Sequence, residues 1–208
     1  MFTGIVTHIG NVRRIRPGPG GALRMEVESG LPDSALGIGD SVAHDGCCLT
    51  VVEAGAEGDT RWHALDVSAE TVSRTTLGVW QEGQAVNLEA AARFGDAIGG
   101  HHVLGHVDGC GIVETVEARG EDTLLAIDAP AALAPLIAEK GSIAVDGVSL
   151  TVNGVTDLED GARFTINIIP HTSKATVIGG YHPGRRVNLE IDPLARYVAR
   201  LLAAGPPK

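Results

Sequence analysis

Four small side chains with chemical potential fall into two matched pairs. Cys48 and Thr50 stand two apart, and Ser149 and Thr151 repeat the spacing 101 residues later. Residues i and i+2 of an extended strand share a face, so each pair sets two hydrogen-bonding groups side by side. Such a face suits a flat polar ring with amide edges. Cys48 and Thr50 could equally fill a core. His101, His102 and His106 lie close together, with Cys110 just beyond. Imidazole titrates near neutrality and is the usual acid–base group. A zinc reading is weaker. The spacing matches no common ligand set, and His44 beside Cys47 and Cys48 does not complete one, so no metal is expected. Lys140 and Asp192 have no chemical match 101 residues earlier, where Gly39 and Ala91 stand, whereas Ser41 and Ser142 correspond. No glycine-rich loop follows a strand and opens a helix, and no Gly-x-Ser-x-Gly elbow is present.

The elements that must carry these residues are themselves duplicated. Gly39 to Val51 and Lys140 to Val152 are identical at seven of thirteen positions, where chance at ordinary residue frequencies gives about one. The offset persists without insertion. Val86-Asn87-Leu88-Glu89 returns as Val187-Asn188-Leu189-Glu190, Thr71 meets Thr172, Gly78 meets Gly179 and Gly4 meets Gly105. A constant offset over most of a chain indicates a duplicated folding unit. We expect one unit over residues 1–92, a second over 93–192, and a terminal helix over 193–208.

Within each unit the pattern is many short strands with regular turn signals, which points to an all-β chain of two small closed barrels. In the first half, strands are expected over Met1 to Val12, Leu23 to Glu28, Gly39 to Val42, Cys48 to Glu53, Thr60 to Val67 and Ala85 to Ala90. Asp45-Gly46 is a hairpin signal. A helical turn is expected within Leu31 to Leu36, and a helix starts near Ser68. In the second half, strands are expected over Gly105 to Val116, Thr123 to Ala129, Ile143 to Val145, Ser149 to Val155, Arg163 to Ile169 and Arg186 to Ile191. Ala131 to Glu139 reads as helix by composition. Asp192-Pro193 fits an N-cap followed by proline in the first turn. Leu194, Val198, Leu201 and Leu202 then form one apolar stripe, which must be buried against this barrel or against another copy.

Net charge of −10 argues against a nucleic-acid partner. No apolar run approaches the length of a membrane span, and Met1 to Val6 lacks the form of a signal peptide. Three cysteines, two of them adjacent, make a poor disulfide framework, and a reducing cytoplasm is the expected compartment.

The chain resembles the riboflavin synthase family along nearly its whole length. The resemblance rests on Met1-Phe2-Thr3-Gly4-Ile5-Val6, Ser41 to Val51, Ile98-Gly99-Gly100-His101, Gly105-His106-Val107, Asp146 to Val152 and Val187 to Pro193. It implies two six-stranded Greek-key barrels with a C-terminal α-helix, assembled as a homotrimer whose active sites lie between subunits. It implies dismutation of two molecules of 6,7-dimethyl-8-ribityllumazine, with neither metal nor cofactor, to riboflavin and 5-amino-6-ribitylaminouracil. Carried over by residue, the substrate-binding positions of the first half are Gly4, Ile5, Val6, Cys48, Leu49, Thr50, Asp66, Val67, Ser68, Ala69, Glu70 and Thr71. Those of the second half are Gly105, His106, Val107, Lys140, Ser149, Leu150, Thr151, Asn167, Ile168, Ile169, Pro170, His171 and Thr172. Phe2, Ser41, Cys48, His101, His106, Ser149 and Asp192 correspond to residues implicated in catalysis. His171 departs from the family pattern, since glutamate is common there, as at Glu70. Two other readings stand beside this one: a non-catalytic lumazine- or flavin-binding protein of the same fold, and a flavin-dependent oxidoreductase, against which the missing nicotinamide-binding half counts.

Overall fold

A computed structural model of the chain describes residues 1–205; residues 206–208 of the expected helical tail lie outside the described residues. The first half holds β1 (His8–Pro17), β2 (Leu23–Glu28), β3 (Ser41–His44), β4 (Cys47–Glu57), β5 (Thr60–Val67), a short α1 (Ala69–Arg74) and β6 (Ala85–Ala90). The second repeats it with β7 (Gly109–Arg119), β8 (Asp122–Pro130), β9 (Ser142–Val145), β10 (Val148–Leu158), β11 (Gly161–Ile168), α2 (Pro170–Ala175) and β12 (Arg186–Ile191), followed by α3 (Pro193–Ala204). Each set closes into an antiparallel barrel, β1-β2-β5-β4-β3-β6 and β10-β11-β8-β7-β12-β9. The run β2-β5-β4-β3 has Greek-key order. Inward-facing apolar residues fill one core per barrel, with Met25, Leu65 and Leu88 in the first and Ile127, Phe164 and Leu189 in the second.

Three expectations are corrected. The first strand begins at His8, not Met1, and β7 begins at Gly109, not Gly105. Gly4 (φ +75°) and Gly105 (φ +77°) turn the chain out of strand geometry, and the residues around them cross to the other barrel. Ala131 to Glu139 forms only a 3-10 turn at Ala134–Leu136. Pro135 lacks an N–H and disfavours helical geometry in the residue before it. Among the described residues, no helix is long and apolar enough to cross a membrane.

The two barrels join through a pseudo-twofold contact. Asp45-Gly46 and Asp146-Gly147 form hairpin turns with positive φ at both residues, the type I′ geometry that suits strand twist. The tips meet back to back, and a Cβ on Gly46 would lie 2.6 Å from the Gly147 nitrogen. Around them Asn87 Nδ2 donates to the Asp146 carbonyl (2.9 Å) and Asn188 Nδ2 to the Asp45 carbonyl (2.8 Å). The Thr76 and Val177 amides donate to the Oδ1 atoms of Asn188 and Asn87, each at 2.8 Å. The Asp45 and Asp146 carboxylates accept the Asn87 and Asn188 amides. Burial raises both acids, Asp146 to about 6. Tyr181 donates to Asp146 at 2.5 Å, a bond with no equivalent at Trp80, its counterpart.

The first barrel also buries a pair of histidines where the second has Val145 and Phe164. His44 Nδ1 lies 3.0 Å from the Val42 carbonyl, and His44 Nε2 lies 2.7 Å from His63 Nε2. The carbonyl fixes a proton on His44 Nδ1, so His63 Nε2–H donates to His44 Nε2. His63 Nδ1 is left buried with no partner among the described residues. Burial lowers both rings, His63 from 6.5 to about 4. The corresponding stability is complete above pH 6.5 and is lost as pH falls toward 4, on the order of 3 kcal/mol for one ring. Buried Asp45 and Glu89, both raised, work in the opposite sense, so substitution must isolate the histidines. Replacing the pair by valine and phenylalanine, as in the second barrel, should flatten the fall in urea midpoint between pH 7 and 4.5. An unchanged fall would place the acid sensitivity elsewhere.

Candidate active site

Each barrel splits along one seam. Pairing of β4 with β5 ends at Val51↔Leu65, after a bulge at Val51/Glu53. Beyond it β4 stays on β3 (Ser41↔Thr50) and β5 on β2 (Arg24↔Asp66, Leu23↔Val67). In the second barrel the β10–β11 ladder ends at Val152↔Ile166, while β10 keeps Ser142↔Thr151 and β11 keeps Asn167↔Leu124. Past these points the paired strands part. Val51 donates to Asp40 and accepts from Gly39, so it faces β3. Alternation then turns Thr50 toward the seam. Val152 is held likewise by Gly141 and Lys140, which turns Thr151 the same way. A strand edge of this kind can pair with an added N–H and C=O.

The second wall of each groove comes from the opposite half. The Cys48 amide donates to the Gly105 carbonyl (2.9 Å), and the Ser149 amide to the Gly4 carbonyl (2.8 Å). Val107 packs against the first core and Val6 against the second. The approach is too close for a side chain on either glycine: a Cβ on Gly4 would lie 2.5 Å from that of Ser149, and one on Gly105 2.4 Å from that of Cys48. One groove therefore gathers Cys48 to Thr50, Asp66 to Thr71 and Gly105 to Val107. The other gathers Ser149 to Thr151, Asn167 to Thr172 and Gly4 to Val6. The floors differ in detail. Arg24 bridges Asp66 (2.9 Å) and Glu53 (2.6 Å) beside the first, whereas Asn167 donates to Asp122 (2.7 Å) beside the second. Ser68 caps α1 by accepting from the Thr71 amide; Ile169 offers α2 no such cap, and Pro170 begins it instead. Thr50 and Thr151 are exposed and Cys48 and Ser149 half-buried, so these four line an outer face and do not fill the core.

His101 Nδ1 lies 2.6 Å from Ser149 Oγ. Burial lowers the His101 pKa, and the Asp192 charge partly offsets this; the net shift favours the neutral ring. Asp192 Oδ1 also caps α3 by accepting from the Leu194 amide (2.9 Å). No histidine is hydrogen-bonded to Cys48 among the described residues, so the two grooves are chemically unequal. Phe2 is buried against Ala43, Val103 and Ala144, beside Cys48, and exchanges main-chain bonds with Val103.

His106 is exposed, tied by its amide to Glu190. Lys140 is exposed in a left-handed turn on the β9 edge of β10, across the strand from the seam. Ser41 lines a cavity of about 710 Å³ together with Ile5, Glu89, Ala91 and Arg93; neither Cys48 nor Ser149 lines it. Sequence reasoning missed Glu89 and Glu190 as site residues, although both were visible in the repeat. Each accepts three hydrogen bonds from the segment that crosses to the other barrel.

Duplicated barrels of this order, each with a split seam walled by the other half, define a tandem lumazine-binding-domain protein. The lumazine binding domain family matches residues 3–91 and again residues 104–192. Among curated relatives, riboflavin synthase of Brucella abortus (strain 2308) is 43% identical over 97% of this chain and 98% of that one. The Photobacterium phosphoreum enzyme is 42% identical, covering 100% of this chain and 92% of its own. The chain belongs to the riboflavin synthase family. Its fold also matches LumP solved with 6,7-dimethyl-8-(1'-D-ribityl) lumazine and with riboflavin, at TM-scores of 0.76 and 0.77. Each is 25% identical and covers 92% of this chain and 99% of LumP.

Proposed function

We propose that this protein is a riboflavin synthase that dismutates two molecules of 6,7-dimethyl-8-ribityllumazine. One gives a four-carbon unit to the other, yielding riboflavin and 5-amino-6-ribitylaminouracil. The observation that carries this reading is the pair of equivalent grooves, each at a ladder that ends beside Thr50 or Thr151. A pyrimidinedione ring presents N–H and C=O along one edge and can pair there as an added strand would. The full-length relatives support the synthase, and the LumP complexes support lumazine binding by the fold. Binding without catalysis has no better support, because LumP is 25% identical against 36–43% for the synthases.

The chemistry needs little acid or base strength. The lumazine C7 methyl is acidic because its carbanion delocalises into the ring. The acceptor molecule needs a nucleophile added at its own C7. Ser149, with His101 taking its proton, or a water held there, is suited to that step. Asp192 holds charge near His101. Phe2, Ser41, Cys48 and His106 complete the proposed catalytic set. Holding two rings face to face supplies up to about 7–11 kcal/mol in favourable cases, which suits a site poor in strong acids and bases. Lys140 lies across the strand from its own groove, and α3 leaves Leu194, Tyr197, Val198, Leu201 and Leu202 exposed. These exposed residues suit the homotrimer we propose, with the groove of the first barrel of one chain (residues 1–92) facing that of the second barrel (93–192) of the next; a cytoplasmic location is part of the same reading.

Calorimetry with an 8-ribityllumazine lacking the C7 methyl, which cannot donate, tests the two-groove reading. Two ligands per chain are expected; one per chain would contradict it. Removing the chain from Leu194 onward should shift sedimentation from trimer to smaller species and lower turnover. A truncated chain that stays trimeric at low concentration would assign α3 to its own barrel.

A further inference from the structure

Glu89 and Glu190 sit at matching places near the ends of β6 and β12, 6% and 2% exposed. Neither meets a lysine or arginine among the described residues; the Met1 ammonium is the one cation whose charge acts on Glu89. Burying an unpaired carboxylate is costly unless hydrogen bonds compensate, and here all of them come from one source. Glu89 accepts from the Thr3 amide (2.7 Å), the Thr3 hydroxyl (2.7 Å) and the Gly4 amide (3.0 Å). Glu190 accepts from the Leu104 (2.6 Å), Gly105 (2.8 Å) and His106 (3.0 Å) amides. Burial raises both carboxyls, and these same bonds pull them back.

The held segments do not serve the barrel that holds them. Gly4 goes on to accept from Ser149 of the second barrel, and Gly105 from Cys48 of the first. Val6 packs on the second core and Val107 on the first. We infer that Glu89 and Glu190 are positioning residues that act crosswise. Glu89, on the first barrel, sets the wall of the second groove, and Glu190, on the second barrel, sets the wall of the first. As an account of ligand binding this rests on the grooves being lumazine sites; as an account of the fold it does not.

Glutamine keeps the shape of the side chain but turns an NH2 group toward N–H donors, so Glu190→Gln and Glu89→Gln loosen one crossing segment each. Bonds to a charged acceptor are among the stronger ones. In the full-length protein without ligand, Glu190→Gln should speed amide hydrogen exchange at Cys48 by about tenfold or more and leave Ser149 unchanged. Glu89→Gln should do the reverse. In a titration with the 8-ribityllumazine lacking its C7 methyl, followed by amide resonances, Glu190→Gln should weaken binding about tenfold at Thr50 and leave Thr151 unaffected. Glu89→Gln should again do the reverse. Thr3→Val, which removes the hydroxyl bond to Glu89 and the bond that hydroxyl accepts from the Ile5 amide within the same crossing segment, carries the test if a glutamine variant fails to fold; it should disturb Ser149 and Thr151 alone. Equal effects at both grooves, or effects confined to the barrel that carries the substitution, would overturn the inference. An unsubstituted protein in which neither Thr50 nor Thr151 responds to the ligand would remove the proposed function, while the exchange rates still decide the crosswise coupling.

Discussion

Gly46→Ala is expected to destabilise the protein on the order of 3–5 kcal/mol, combining left-handed backbone strain with overpacking. Gly46 has φ +77°, and its missing Cβ would fall 2.6 Å from the main-chain nitrogen of Gly147. Backbone cannot swing aside as a side-chain end can. The barrels would have to separate, and the Asn87 and Asn188 bonds across the joint would lengthen with them. Gly147→Ala should cost about the same, since its Cβ would lie 2.7 Å from the Gly46 nitrogen. Gly58→Ala is the control. It has φ +61° but nothing within 4 Å of the added carbon, so only the backbone strain of roughly 1–2 kcal/mol applies. Urea unfolding of the three variants reads the difference directly. Equal losses at Gly46 and Gly58 would mean that the turn tips do not bear on one another.

Ser149→Ala is expected to lower kcat by roughly 10²–10³-fold with little change in KM, as for loss of a group that acts in the transition state. His101→Gln should give a similar fall. The double variant should be little worse than either single one, because two members of one hydrogen-bonded unit do not contribute independently. The pH profile provides a second readout. Burial lowers the His101 pKa, so the ring stays a base as pH falls below its usual 6.5, and the acid limb of kcat lies below that value. Asp192 raises the His101 pKa. Asp192→Asn keeps an N-cap for α3 but removes the charge, and should move the limb to still lower pH. A Ser149→Ala enzyme within about twofold of the parent kcat would take Ser149 out of the chemistry.

Local pattern was enough for most strands. Thr60–Val67, Ala85–Ala90 and Arg186–Ile191 are framed by turns, and in the last two Val86 and Leu88, and Val187, Leu189 and Ile191, recur at every second position and are buried, so local rules and tertiary packing agree there. The two strand starts failed for a common reason. Phe2, Ile5 and Val6 have strand-like composition, but a positive φ at Gly4 and the carboxylate of Glu89, 85 residues away, decide their path. No window of sequence contains both partners. The expected helix at Ala131 to Glu139 failed to weigh Pro135 against its helix-forming neighbours. Of the site, the repeat exposed Cys48, Thr50, Ser149 and Thr151 as equivalent positions. It could not show that the strands beside them part, because a ladder ending at Val51↔Leu65 is set by barrel closure. The contact of His101 with Ser149 spans 48 residues and has no counterpart in the first half, so the repeat that revealed the grooves hid the difference between them.

The most direct test of the account is to incubate the protein with 6,7-dimethyl-8-ribityllumazine as the sole organic reagent and quantify all pteridine and pyrimidine species. The account predicts that two lumazines disappear for each riboflavin and each 5-amino-6-ribitylaminouracil formed. Lumazine that binds to the protein and is recovered unchanged would contradict it.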